Sequence, residues 1–208
     1  MRTILCYGDS NTWGASPSSG ERLDMNTRWA GILRNSLGKD YHIVEEGLCG
    51  RTTVWDDPIE EHKNGKKYLL PCLESHRPLD LVIILLGTND LKHRFSLTAF
   101  DIAAGAGLLA RMAQKSLCGP NGKSPEVLLV APPPLAKLTG LSEMFQGGNE
   151  KSREFSKYYR IIADELSCHY LDAGSVIVSS NLDGIHFDPQ EHEKLGDAIH
   201  RKVVQIFS

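Results

Sequence analysis

Five short apolar runs, set between stretches of helical periodicity, constrain this chain more than any other feature. They cover residues 2–7 (RTILCY), 41–45 (YHIVE), 80–86 (DLVIILL), 126–131 (EVLLVA) and 169–172 (HYLD). Most are continuously apolar instead of alternating, the pattern of parallel strands covered on both faces. The segments between them carry the spacing of amphipathic helices. Trp29, Ile32, Leu33 and Leu37 repeat through 27–37, and residues 98–116 are rich in Ala and Leu behind a capping Thr98. Phe155, Tyr158, Tyr159, Ile162 and Leu166 share one face of 149–167. A last helix starts at Pro189 and buries Leu195, Ile199, Val203 and Ile206. Strands and helices that alternate in this way join through right-handed crossovers, so the expectation is an α/β fold, a three-layer α/β/α sandwich. No linker or repeat divides the 208 residues, and 1–208 reads as one domain.

Composition removes several classes of function. The net charge is -3 with both signs interspersed, which leaves no footprint for nucleic acid or an anionic membrane. The longest apolar run, near residues 79–87, is too short to span a bilayer. The N-terminus enters a strand at once, without the pattern of a signal peptide. Five widely spaced cysteines, with no CxxC pair, fit reduced thiols in a cytoplasm better than disulfides or a cysteine-rich zinc site. The expected location is cytoplasmic, and no metal or cofactor is expected.

Chemistry is expected where the strands end, because ligands of open α/β sheets bind outside the carboxyl ends of the strands. The first strand runs into Gly8-Asp9-Ser10, the second into Glu45-Glu46-Gly47-Leu48-Cys49-Gly50, and the third into Gly87-Thr88-Asn89-Asp90. Asp183-Gly184-Ile185-His186 precedes the last helix. Ser10 reads either as the cap of the following turn or as a nucleophile, which needs a base nearby. His186 could be that base, with Asp183 three residues upstream to hold its Nδ1–H, or it could be a structural histidine. The backbone N–H groups of Ser10 and Gly47 and the Asn89 amide could stabilise an oxyanion, although Gly47 and Asn89 also suit turns. Asp9 and Asp90 read as loop ties. Arg51 reads as a partner of Asp9, Glu45 or Asp90, or as a pocket residue. No G-x-S-x-G elbow occurs anywhere in the chain.

Together these blocks resemble the SGNH hydrolase superfamily, the GDSL-like lipases and esterases. Gly8-Asp9-Ser10, Gly47 in "EEGLCG", Asn89 in "GTND" and Asp183 with His186 in "DGIHF" occur in the family's order and span nearly the whole chain. The resemblance implies a flavodoxin-like sheet of five parallel strands, order 2-1-3-4-5, and hydrolysis through an acyl-enzyme. It implies Ser10 as nucleophile, His186 as base, Asp183 as orienting acid, and Ser10, Gly47 and Asn89 as oxyanion donors. Asn11 replaces the Leu that usually follows the family's Gly-Asp-Ser, and Glu45 stands where an Asn is often found. "GDSNTWG" and "EEGLCGRTT" are similar to the bacterial arylesterase and acyltransferase subgroup. That subgroup acts on small acyl esters, forms homo-oligomers up to octamers, and can pass the acyl group to alcohols or peroxide. Some related proteins deacetylate carbohydrates.

The expected partner is therefore a small-molecule ester. Two long loops, about 46–66 and 132–149, are expected to supply the pocket walls. Asn11, Trp13, Arg51, Val54, Leu138, Phe145 and Ile185 are the candidate lining residues, with Trp55, Leu135 and Met144 beside them. Two rival readings stand: a flavodoxin-like module that cradles a phosphate or flavin with Ser10 and Thr12, and a metal hydrolase built on His186, His192 and Asp188.

Overall fold

The computed structural model describes residues 1–208. Five strands form one parallel sheet: β1 (Arg2–Gly8), β2 (Tyr41–Gly47), β3 (Leu81–Leu85), β4 (Glu126–Ala131) and β5 (His169–Asp172). Their spatial order is β2-β1-β3-β4-β5, as the resemblance implied. Seven α-helical segments accompany the sheet: α1 (Ser10–Trp13), α2 (Trp29–Leu37), α3 (Gly65–His76), α4 (Ala99–Lys115), α5 (Gly148–Arg153), α6 (Phe155–Leu166) and α7 (Pro189–Phe207).

The continuous apolar runs are explained by burial on both faces. Ile4 and Cys6 point to one layer and Leu5 and Tyr7 to the other, and none of the four is exposed. The Leu5 and Tyr7 side packs against α3, α4 and α6 through Leu69, Leu73, Ile102, Leu109, Phe155 and Tyr159. The Ile4 and Cys6 side packs against α2 and α7 through Trp29, Leu33, Leu195, Ile199 and Val203. Each fully buried Leu or Ile contributes roughly 1.5–3 kcal/mol relative to an exposed one. The three layers thus follow directly from the strand pattern.

Local signals set the helix boundaries. Thr98 accepts from the Asp101 N–H while Asp101 accepts from the Thr98 N–H, the reciprocal pair of a capping box. The apolar stripe over 149–167 is divided at Glu154 into α5 and α6. Helix α3 has no counterpart among the helices expected from the sequence. Pro71 lies inside this helix, where proline is disfavoured, and only Gly65, Leu69, Cys72 and Leu73 of it are buried. The signal that marks its start is Asn64, whose side chain caps the Lys66 N–H.

All five cysteines are free. No helix is long and apolar enough to cross a membrane. The carboxyl ends of β1, β2 and β3 lie side by side, with Gly8 opposite both Gly47 and Leu85. That register gathers the three polar loops named above at one edge.

Candidate active site

Asp9, and not Ser10, caps the turn after β1. Its Oδ1 accepts the Asn11 N–H at 2.9 Å, and Ser10 is the first residue of α1. The Ser10 N–H, at the first position of a helical turn, has no intrahelical acceptor. Glycine is required at position 8, because a Cβ there would stand 2.0 Å from Thr12 Oγ1. Gly14 ends the turn in the left-handed region at φ 89°, and its N–H donates to the Ser10 carbonyl. The Ser10 side chain is left free to turn outward.

It meets His186. Ser10 Oγ lies 2.9 Å from His186 Nε2, and His186 Nδ1 lies 2.5 Å from Asp183 Oδ2. The other Asp183 oxygen accepts the N–H groups of Ile185 at 2.8 Å and His186 at 2.9 Å. One carboxylate therefore folds the DGIH loop and orients its imidazole. Burial pushes the Asp183 carboxyl up, but these hydrogen bonds outweigh burial and hold it below its ordinary value. With Asp183 ionised and facing Nδ1–H, Nε2 presents a lone pair to the Ser10 hydroxyl. Gly184 sits at φ +86° with the Leu138 backbone 2.9 Å from where a Cβ would be, so this loop also depends on a glycine.

Asn89 approaches from the β3 end. Its Nδ2 donates one hydrogen to the Arg51 carbonyl at 3.2 Å, which leaves the second directed elsewhere. The next residue, Asp90, is buried and accepts from both the N–H and the hydroxyl of Thr53. Burial raises the Asp90 carboxyl to about 7 and that of Asp9 to about 6. Both act as loop ties. Tyr159 supports the same loop from below by donating to the Leu86 carbonyl at 2.6 Å.

Ser10, His186 and Asn89 open into a cleft of about 290 Å³. Its apolar wall includes Leu141, Met144, Phe145 and Ile185, and its polar wall includes Glu60 and Lys92. Lys92 is only 3% exposed, with Nζ 2.6 Å from Glu60 and 3.5 Å from Asp57. Arg94 reaches Asp57 at 2.6 Å and Glu60 at 2.8 Å. Burial pushes Asp57 up, but Arg94, neighbouring backbone N–H groups and Lys92 prevail and bring it down to about 2. This four-residue network ties the 56–60 loop to the segment after β3.

Several expected site residues stand elsewhere. Gly47 pairs with Gly8 in the sheet and backs onto Trp13, whose nitrogen would be 2.1 Å from a Cβ. Gly47 does not line the cleft; Cys49 and Gly50 do. The Gly50 N–H has no acceptor within the protein. Arg51 forms no ion pair with Asp9, Glu45 or Asp90. Its Nη1 instead donates to the Gly8 and Glu46 carbonyls, and its guanidinium lies 4.2 Å from the Tyr7 ring centroid. Glu45 pairs with Arg28 at 3.3 Å and Arg34 at 3.1 Å.

The apolar candidates divide in the same way. Met144, Phe145 and Ile185 line the cleft, the last two while also belonging to the core, whereas Val54, Leu135 and Leu138 pack onto that core without reaching the cleft. Trp13 lies under the Arg22 guanidinium outside the cleft, and Trp55 is 38% exposed. Asn11 is buried behind the site, with Nδ2 donating to the Ile185 carbonyl at 3.3 Å. His192 has no exposed surface, and its Nδ1 accepts the Trp29 N–H, so it cannot join His186 in holding a metal. Glu60, Lys92 and Gly50 escaped the sequence reading. Of these, Lys92 alone carried a signal, three residues beyond Asn89 on the same loop.

Residues 6–197 match the model of the GDSL-like Lipase/Acylhydrolase family. No curated protein sequence matches the chain. Among solved structures, the native aryl esterase of M. smegmatis is 42% identical, with a TM-score of 0.94 and 99% of each chain covered. Est24, a carbohydrate acetylesterase from Sinorhizobium meliloti, is 44% identical, with a TM-score of 0.95 and coverage of 99% of this chain and 100% of that one. A second carbohydrate acetylesterase family member from that organism is 38% identical, with a TM-score of 0.93 and coverage of 99% and 98%. The chain belongs to the GDSL-like lipase/acylhydrolase family, within the SGNH superfamily, and is a carboxylic ester hydrolase.

Proposed function

We propose that Ser10 is the nucleophile of a serine esterase acting on short-chain esters, with His186 as base and Asp183 as its orienting acid. The unbroken chain Ser10 Oγ–His186 Nε2–Asp183, with separations of 2.9 and 2.5 Å, carries this reading. The Ser10 Oγ attacks the ester carbonyl as its proton passes to His186 Nε2. Asp183 stabilises the resulting imidazolium. The oxyanion is received by the Ser10 N–H, the Gly50 N–H and the second Asn89 amide hydrogen, so Gly50 takes the role first expected of Gly47. Collapse breaks the bond to the alcohol, which leaves with the proton held by His186. Water, activated by the same nitrogen, then releases the acid and restores Ser10.

The cleft of about 290 Å³, with its short apolar wall, suits a small acyl group. That wall also supports acyl transfer to an alcohol or peroxide, because it solvates a competing water poorly. Glu60 and Lys92 favour a second reading, in which the leaving alcohol is a polyhydroxylated sugar. The acetylesterase relatives support the same possibility. The chain works as a single domain and as a homo-oligomer, in which exposed Ile59, Val178 and Leu182 offer apolar contact area. Its five unpaired thiols support a reducing, cytoplasmic setting. Labelling with a phosphonate ester tests the assignment. A single adduct on the Ser10 peptide is expected, lost in His186→Ala; an adduct on another residue would refute it.

A further inference from the structure

Away from the cleft, the face of α3 turned toward the end of β2 carries an unusual set of donors, of which only Cys72 is buried. Tyr68, Cys72 and His76 recur every fourth residue, so they form one stripe along the helix. The stripe faces the end of β2, where Glu46 stands immediately before Gly47. The Glu46 carboxylate, the Cys72 thiol and the His76 imidazole have ligand atoms all within 4.8 Å of one another. His76 Nε2 is 3.1 Å from Glu46 Oε1. Cys72 is fully buried, while Glu46 and His76 remain partly exposed, so the set is open on one side only. Glu46 and Tyr68 also border a depression of about 460 Å³.

From this juxtaposition we infer that Glu46, Cys72 and His76 form a binding site for one divalent transition-metal ion of the zinc class. One sulfur, one nitrogen and one oxygen donor make a mixed set suited to Zn²⁺ or Co²⁺ and poorly suited to Mg²⁺ or Ca²⁺. Three protein ligands leave a fourth tetrahedral position for water on the open side. The Cys72 proton is released to solvent on binding, and with the Glu46 carboxylate the thiolate balances the ion's two charges. The spacing escaped the sequence reading because the ligands are not a CxxC pair. They are a Cys-x-x-x-His stripe on a helix, completed by a strand residue.

The nearby Arg51 guanidinium, 5.6 Å from the Tyr68 ring centroid, opposes a cation and makes this site weaker than a four-ligand structural one. A bound ion would clamp α3 to the end of β2, whose next residues carry Gly50 into the cleft. The ion has no place in the ester chemistry, which lies with Ser10 and His186, so the inference stands apart from that reading.

Cobalt titration of the chelator-treated full chain tests it. The expected result is a near-ultraviolet thiolate-to-cobalt charge-transfer band that saturates at one equivalent, collapses on adding Zn²⁺ and accompanies a rise in Tm. The band should persist in Cys168→Ser, vanish in Cys72→Ser and need at least tenfold more cobalt in His76→Gln. His76 is partly exposed, so that variant decides the matter if Cys72→Ser does not fold. The absence of a band in folded wild-type protein, or a band unchanged by Cys72→Ser or His76→Gln, would overturn the site.

Discussion

Asp9 caps the turn that Ser10 begins, and this division of labour frees the Ser10 hydroxyl to meet His186. Asp9→Ala is therefore expected to cost about 1 kcal/mol of stability, the ordinary value of a lost cap. It should also lower kcat, because the Ser10 turn loosens. Asp9→Asn keeps an acceptor and should recover most of both. Urea titration and initial rates on one set of proteins check this.

Asn89 gives one amide hydrogen to the Arg51 carbonyl, and the proposed mechanism assigns the other to the substrate oxyanion. Asn89→Ala is expected to reduce kcat by roughly 10²–10³-fold with little change in KM, as for loss of one oxyanion donor. Steady-state kinetics on p-nitrophenyl acetate measure the split. A rise in KM alone would mean that Asn89 serves only ground-state binding.

Lys92 is almost wholly buried between Glu60 and Asp57 at the edge of the cleft. Replacing it with Met leaves those carboxylates to Arg94 alone. The expected loss is about 1.5–3 kcal/mol, the range for a hydrogen bond to a charged group. Chemical denaturation of Lys92→Met measures it, and activity on acetylated sugars should fall more than activity on p-nitrophenyl acetate.

The buried His192 gives stability a pH dependence. Burial, with the charges of His186 and Arg28, lowers its imidazole from 6.5 to about 4. As pH falls below 6.5 the unfolded chain takes up a proton that the native state refuses. Stability is thus lost between about pH 6.5 and 4, by up to about 3 kcal/mol. Asp9 and Asp90 work the opposite way, since their raised values make stability fall as pH rises from about 4 toward 6 and 7. A variant comparison isolates His192. His192→Asn retains an acceptor for the Trp29 N–H and should lose less stability than wild type between pH 7 and 4.5, measured by urea denaturation.

Which of these features the sequence discloses follows from physics. The strand Leu81–Leu85 is readable because a strand buried on both faces has no polar positions to confuse the pattern. Ser10, Asn89, Asp183 and His186 stand out because each follows directly on a strand end or precedes α7. Gly50 does not, because nothing in "EEGLCG" tells which N–H the sheet ladder consumes and which it leaves free. Val54 and Leu138 are as apolar as Phe145 and Ile185, and only the tertiary packing decides which of them reach the cleft. The α3 helix was hidden by Pro71 and by its small buried face.

The central claim is that ester turnover runs through Ser10 oriented by His186. Its most direct test is the rate of p-nitrophenyl acetate hydrolysis by purified Ser10→Ala protein whose Tm matches wild type. The account predicts a fall in kcat/KM of at least about 10³-fold, the scale of losing an activated nucleophile. Wild-type turnover by that folded variant would contradict it.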